Sequence, residues 1–141
     1  MVDDVINADA TRVADPSLVT YTHVIYALHA LSVLIGVTSA ATIVGSFVFG
    51  LPSIVAVIMN YARRSDARGT HLESHFDWQI RTFWFALLWL VVAGVISLPL
   101  VLLLGLGIVT FAIAAFVIGV WVVYRVARGW LRLRDQQAIS F

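Results

Sequence analysis

Two long stretches without any Asp, Glu, Lys or Arg divide the chain. The first comprises the 47 residues between Asp15 and Arg63, and the second comprises the 43 residues between Arg81 and Arg125. A helix rises ~1.5 Å per residue and the hydrocarbon core of a bilayer is ~30 Å thick, so one helix of either length would be about twice too long. Each stretch therefore predicts a hairpin of two transmembrane helices.

The turns of the two hairpins are marked by small residues. Small and β-branched residues in GVTSAAT (36–42) interrupt the first apolar stretch. The second turn lies within 97–107, at SLP (97–99) or at GLG (105–107), and equal division of the stretch favours GLG. The four predicted spans are about 18–37, 43–62, 82–104 and 107–125.

These patterns predict an all-α integral membrane bundle of four transmembrane helices over residues 18–126. A polar N-terminal tail (1–17) precedes the bundle, and a basic interfacial tail (127–141) follows it. Composition agrees, because 61% of the residues are hydrophobic, 12% are charged and the mean hydropathy is +0.95. Soluble domains carry about 25% charged residues.

Arginine sets the expected orientation. The loop between the hairpins and the segment after the last span are both basic, and neither hairpin tip carries a charge; the arginines concerned are Arg63, Arg64, Arg68, Arg125, Arg128, Arg132 and Arg134. Basic loops stay in the cytoplasm. The middle loop, the C-terminus and, with four spans, the N-terminus are therefore predicted to be cytoplasmic.

The stretch HLESHFDWQIRTFW (71–84) combines titratable and aromatic residues. On a helix its side chains form three stripes: Leu72, Phe76, Ile80 and Phe83 are apolar, Glu73, Asp77 and Arg81 are charged, and His71, His75 and Trp78 lie beside the apolar stripe. This pattern predicts a short amphipathic helix at the membrane surface that leads into the third span. Trp78 and Trp84 suit the headgroup level.

The same stretch raises the alternative of a metal or haem site. The order H-x-E-x-H differs from the zinc-protease box H-E-x-x-H, and two ligands are too few for a metal. The first span could add others, and the four candidate ligands in the cytoplasmic half are His23, His29, His71 and His75. The prediction is nevertheless no bound cofactor or metal, with these histidines as interfacial hydrogen-bonding groups. The absence of cysteine excludes disulfides and thiolate ligands.

Two features of the last span have alternative interpretations. RVARGWLRLRD (125–135) reads as an interfacial helix basic enough to prefer anionic lipid, or as a plain stop-transfer anchor, which we favour. Ala115 and Gly119 form a small-xxx-small pair, for which we predict packing within the chain in preference to a dimer seam.

The run RRSDARGTHLESHFDWQIRTFW (63–84) resembles the Tic-twenty-like family of small four-span bacterial membrane proteins. In that family a basic turn is followed by a His eight residues before a Gln, and here these look like His71 and Gln79. HALSVLIG (29–36) and GSFVFGLP (45–52) are similar to the family's first span and to its glycine-rich entry to the second. The departures are ARGT (67–70), where the family commonly has an apolar pair, and Arg81, which replaces a small polar residue.

The resemblance covers about residues 23–125 and implies a multi-pass protein of the bacterial cytoplasmic membrane. The family's function is mostly uncharacterised, and it is distantly similar to a subunit of the chloroplast inner-envelope import machinery. The resemblance thus implies no reaction, and a role in protein translocation rests on the plastid relative alone.

The functional prediction is a non-enzymatic accessory or assembly subunit that binds other membrane proteins or itself. No catalytic motif occurs, no Asp, Glu or Arg lies in the core of a predicted span, and a net charge of +1 gives no indication of nucleic-acid binding. The alternatives are a haem or metal protein using the four histidines, and an oligomeric pore or translocation component. The predicted contact surface with lipid or partners, here called the collar, comprises Arg63, Arg64, Arg68, His71, Trp78, Gln79, Arg81, Arg125, Arg128, Trp130 and Arg132.

Overall fold

The computed structural model describes residues 12–39, 43–103 and 105–140, with side chains described outside 37–49. The described part of the chain is all-helical, with 85% of it in helices and no strand. The helices are α1 (Pro16–Ser39), α2 (Ile43–Ala62), α3 (Arg64–Ala67), α4 (Leu72–Leu102) and α5 (Leu106–Arg134).

Three of these helices are long and apolar enough to cross a membrane. They are Pro16–Gly36 within α1, Leu72–Leu102 and Leu106–Arg134. The described apolar part of α2, Gly50–Ala62, is shorter. The predicted first turn at 36–42 lies partly outside the described residues.

The second hairpin turns between Leu102 and Leu106. Gly105 precedes α5 with φ 72°, in the left-handed region that glycine adopts without steric cost. The turn is therefore at GLG, and α4 runs through Pro99.

The amphipathic segment and the predicted third span form one continuous helix. α4 begins at Leu72 and has 31 residues, and at ~1.5 Å per residue it is ~46 Å long. Neither Gly nor Pro occurs between Leu72 and Ala93, so nothing interrupts the helix where the surface segment was expected to end. A helix of this length exceeds a ~30 Å hydrocarbon core by several turns.

The first and the last described segments of the chain contact the same end of the bundle. This end, here called the arginine-rich end, carries Arg63, Arg64, Arg68, Arg125, Arg128, Arg132 and Arg134. The backbone N–H of Arg12 donates to the carbonyl oxygen of Gly69 at 2.8 Å, and that of Ile139 donates to Ser74 Oγ at 3.0 Å. Ala138 and Ile139 are fully buried. These two apolar residues of the predicted interfacial tail (127–141) are thus part of the protein core.

Glycines set how closely α5 approaches its neighbours. A Cβ on Gly107 would lie 2.1 Å from the carbonyl oxygen of Ser97, and one on Gly129 would lie 2.3 Å from Tyr26 Oη. A Cβ on Gly119 would meet nothing within 4 Å. The prediction that Gly119 serves packing within the chain is therefore wrong, and the close approaches are at Gly107 and Gly129.

Candidate functional site at the arginine-rich end

A buried histidine joins three segments at this end of the bundle. His75 Nε2 lies 2.6 Å from the carbonyl oxygen of Gln137, and Nδ1 lies 2.9 Å from Tyr26 Oη. Because a carbonyl oxygen only accepts, we assign the proton to Nε2, so that Nδ1 accepts from the tyrosine hydroxyl. Both ring nitrogens of His75 are thus engaged by protein groups, and this arrangement leaves no lone pair for a metal.

A second histidine connects the first and last long helices. Trp130 Nε1 donates to His23 Nδ1 at 3.0 Å, which makes Nδ1 the acceptor and places the ring proton on Nε2. Sequence reasoning predicted His23 as a possible ligand and Trp130 as a collar residue. The structure pairs the two, across 107 positions of sequence.

The remaining two histidines are only partly satisfied. His29 is buried, with Nδ1 3.2 Å from Ser53 Oγ, and its Nε2 has no hydrogen-bond partner among the described residues. The His71 ring is edge-on to that of His75 at 6.4 Å between centroids, and burial lowers the pKa of His71. In the described ranges, no three His, Asp or Glu side chains come together in a way that could hold a metal ion.

Arg125 of α5 contacts two residues of α4 and so connects the two helices. Its guanidinium carbon lies 3.6 Å from the centroid of the Trp78 ring, and its Nε donates to Thr82 Oγ1 at 2.7 Å. In return Trp78 Nε1 donates to the carbonyl oxygen of Arg125 at 3.0 Å. A cation over a desolvated indole face is attracted by the ring quadrupole. Arg125 therefore acts within the fold, in addition to any contact with the membrane.

Two predicted collar residues are not on the surface. Trp78 is 2% exposed and Gln79 is 1% exposed, so neither reaches a partner or lipid directly. The physical reason is that the start of α4 is contacted from two sides, by α1 through Tyr26 and by α5 through Arg125. Trp78 belongs to the stripe that the sequence places beside the apolar one, and in the structure this side chain faces the protein interior.

Two buried amides lack hydrogen-bond partners. Neither polar atom of the Gln79 side chain nor of the Asn60 side chain is paired within the described part of the chain. Buried polar atoms are usually hydrogen-bonded, and leaving one unpaired costs ~1–3 kcal/mol. Sequence reasoning missed Asn60, although a lone amide in the apolar α2 was a usable signal.

The arginines of the middle loop are largely engaged in holding that loop. Arg63 pairs with Asp66 at 2.9 Å, and Arg64 pairs with Asp77 at 2.7 Å. Glu73 Oε2 accepts from the backbone N–H of Gly69 at 2.9 Å. These exposed ion pairs each contribute little to stability, but they reduce the net positive charge that the loop presents.

A groove opens at the C-terminal end of α5. Its volume is about 630 Å³, and it is lined by Tyr124, Ala127, Arg128, Leu131, Arg132, Asp135 and Gln137. Arg132 Nη1 donates to Gln137 Oε1 at 2.9 Å, which connects the helix to the segment that follows it. The groove thus combines positive charge with apolar side chains.

Comparisons of the chain with protein-family models, curated proteins and solved structures found no match. The resemblance to the Tic-twenty-like family therefore stays a prediction that rests on the motifs quoted above.

Proposed function

We propose that the protein is a non-enzymatic integral membrane protein that binds other membrane proteins through its α4–α5 hairpin. The contact would be made by the part between Phe83 and Val123, here called the outer hairpin. The observation that supports this is the exposure of that hairpin. Between Phe83 and Val123, Ser97 and Gly107 are the only buried residues among those described. Apolar side chains therefore face outward around most of both helices.

The proposed topology has four spans, with α2 as the second. α2 has 20 residues and at ~1.5 Å per residue is ~30 Å long, which matches the hydrocarbon core. Tyr21 Oη donates to the carbonyl oxygen of Met59 at 3.0 Å, which brings the start of α1 beside the end of α2. The contacts of His75 and His23 bring the start of α4 and the end of α5 to the same end.

This arrangement supports a cytoplasmic location for the arginine-rich end, under the positive-inside rule. We place the protein in the bacterial cytoplasmic membrane, as the family resemblance implies. The two ends of the bundle then have different roles. The cytoplasmic end is tied together by buried hydrogen bonds, whereas the outer hairpin offers apolar surface for helix packing in the membrane, where van der Waals contact drives association.

Site-specific photo-crosslinking in intact membranes tests this proposal. A photoreactive residue is placed at Val95 or Leu98 on α4, which are 66% and 68% exposed. Matched controls are Leu34 on α1 and Ile58 on α2, which are 62% and 60% exposed. The expected result is a discrete protein adduct, identified by mass spectrometry, from the α4 positions only.

The controls make the outcome decisive. An adduct that contains a second copy of this chain would identify self-association as the contact. Lipid adducts alone at Val95 and Leu98 would show that the hairpin faces lipid, and the same protein adducts from all four positions would show no preference for the hairpin. Either result would refute the proposal.

A further inference from the structure

The segment that follows α5 occupies a socket at the arginine-rich end. Residues 137–140, here called the closing segment, are held there by two hydrogen bonds to their backbone. His75 Nε2 donates to the carbonyl oxygen of Gln137 at 2.6 Å, and the N–H of Ile139 donates to Ser74 Oγ at 3.0 Å. The Ile139 side chain is fully buried and belongs to the hydrophobic core. The socket thus recognises a backbone carbonyl, a backbone N–H and an aliphatic side chain.

The hinge between α5 and the closing segment is short and has an unfavourable backbone conformation. α5 ends at Arg134, so only Asp135 and Gln136 precede the first socket contact, at Gln137. Gln136 has φ 54°, and in the described part of the chain it is the only residue other than glycine with a positive φ. Residues with a Cβ avoid this left-handed region, because the Cβ comes close to the following carbonyl oxygen. The hinge therefore folds back only by adopting a strained conformation at Gln136.

A second copy of this chain has the same segment and the same socket. If two copies exchanged their closing segments, every contact in the socket would be kept, and Gln136 would be free to adopt a relaxed, extended conformation. Short hinges under strain favour exchange of this kind. When extended, the three residues 135–137 span up to ~10 Å, which is the usual distance between the axes of two packed helices. The hinge is therefore long enough to reach a copy that packs beside α5.

We propose that neighbouring copies of this chain exchange their closing segments, so that Ile139 of one copy fills the socket of the other, beside Ser74 and His75. The product is a domain-swapped dimer, in which each copy contributes part of the other's core. A segment from a different protein would have to reproduce the same backbone path and aliphatic side chain, whereas a second copy has both by identity. The proposal is independent of whether the outer hairpin binds a partner.

Disulfide crosslinking in intact membranes tests this proposal, since the chain contains no cysteine of its own. Two differently tagged variants, Ser74→Cys and Ile139→Cys, are expressed together, oxidised and separated without reductant. Because Ser74 Oγ lies 3.0 Å from the Ile139 nitrogen, cysteines at these positions are close enough to bond. Only exchange brings the two cysteines together, so the expected result is a disulfide-linked heterodimer.

Two controls accompany this pair of variants. Replacing Ile139→Cys by Arg134→Cys places the second cysteine before the hinge, outside the socket, and should give no heterodimer above the level of random collision. A single chain that carries both Ser74→Cys and Ile139→Cys should form the disulfide whether or not segments are exchanged, which verifies the geometry of the socket.

Substitutions at the hinge should change the heterodimer yield in opposite directions. Glycine adopts the left-handed conformation without steric cost, so Gln136→Gly in both tagged variants should lower the yield about fivefold, the factor that corresponds to ~1 kcal/mol of relieved strain. Proline is fixed near φ −65° and excludes that conformation, so Gln136→Pro should raise the yield.

Two results would overturn the proposal. The first is a heterodimer yield equal to that of the Arg134→Cys control, in membranes where the doubly substituted chain forms its disulfide, because each segment would then stay in its own chain. The second is an unchanged yield in Gln136→Gly, because the strained hinge would then not influence the exchange.

Discussion

Gly107 is the residue at which we expect the α4–α5 hairpin to be most sensitive to substitution. It lies in the first turn of α5, against the last turns of α4. In Gly107→Ala the new methyl carbon would lie 2.1 Å from the carbonyl oxygen of Ser97 and 2.4 Å from the backbone nitrogen of Val101. Both atoms belong to the backbone of a helix, so neither can move away as a flexible side chain would.

The cost follows from this geometry. Ordinary contact begins at 3.4 Å, so the two helices would have to separate locally by about 1.3 Å. Overpacking of this kind costs ~1–3 kcal/mol. An alanine in place of a helical glycine returns up to ~1 kcal/mol through helix propensity. We therefore expect Gly107→Ala to lower the free energy of unfolding by ~1–2 kcal/mol.

Gly119→Ala is the matched control, because it makes the same chemical change in the same helix where nothing lies within 4 Å. It should be neutral, or stabilising by up to ~1 kcal/mol. The measurement is reversible unfolding in mixed micelles of a mild detergent and dodecyl sulfate, followed by far-UV circular dichroism. If Gly107→Ala were as stable as Gly119→Ala, the direct backbone contact that closes the hairpin would be refuted.

Three further predictions concern the arginine-rich end. Tyr26→Phe should lower the free energy of unfolding by ~1–3 kcal/mol, because Nδ1 of His75 would remain buried without its donor. Trp78→Phe should cost ~1–3 kcal/mol, since it removes the hydrogen bond to the Arg125 carbonyl and leaves unfilled volume. Burial lowers the pKa of His71 below its ordinary 6.5, so the unfolded state takes up a proton first as pH falls, and stability decreases below about pH 6.5. His71→Gln should reduce that decrease in the unfolding midpoint between pH 7 and pH 5.5.

The same unfolding assay supplies the controls for these predictions. Tyr124→Phe in α5 and Trp89→Phe in α4 change exposed aromatic residues and should each shift the free energy of unfolding by less than about 0.5 kcal/mol. If they matched Tyr26→Phe and Trp78→Phe, the buried hydrogen bonds would not explain the losses. An unchanged pH dependence in His71→Gln would show that His71 does not titrate differently in the folded state.

The helices of the second hairpin were predictable because their length and their turn depend on residues that are consecutive in the sequence. A stretch of 43 residues without charge is too long for one span, and GLG offers the glycine that the left-handed residue before α5 requires. The continuity of α4 was missed because a change from an amphipathic to an apolar pattern alters the surroundings of a helix but does not end it.

The partners of the histidines were not predictable from local spacing. Trp130 and His23 are 107 residues apart, and no periodicity connects them. A helical wheel indicates which side chains share a stripe, but it does not say which stripe faces a neighbouring helix. Trp78 and Gln79 were assigned to the surface for this reason, although both are buried. The metal hypothesis arose in the same way, since sequence placed four histidines in one half of the membrane without specifying their orientation.

The hydrogen bonds of His75 imply that the arginine-rich end behaves as one unit. The ring joins α1 through Tyr26, α4 through its own backbone, and the last residues of the chain through Gln137. A change that moves the last residues would therefore act on the start of α4, and also on the groove that Gln137 lines together with Arg128. The outer hairpin has no comparable buried network among its described residues. If it binds a partner, its position relative to that partner would be set from the arginine-rich end, where the helices are held together by directional bonds.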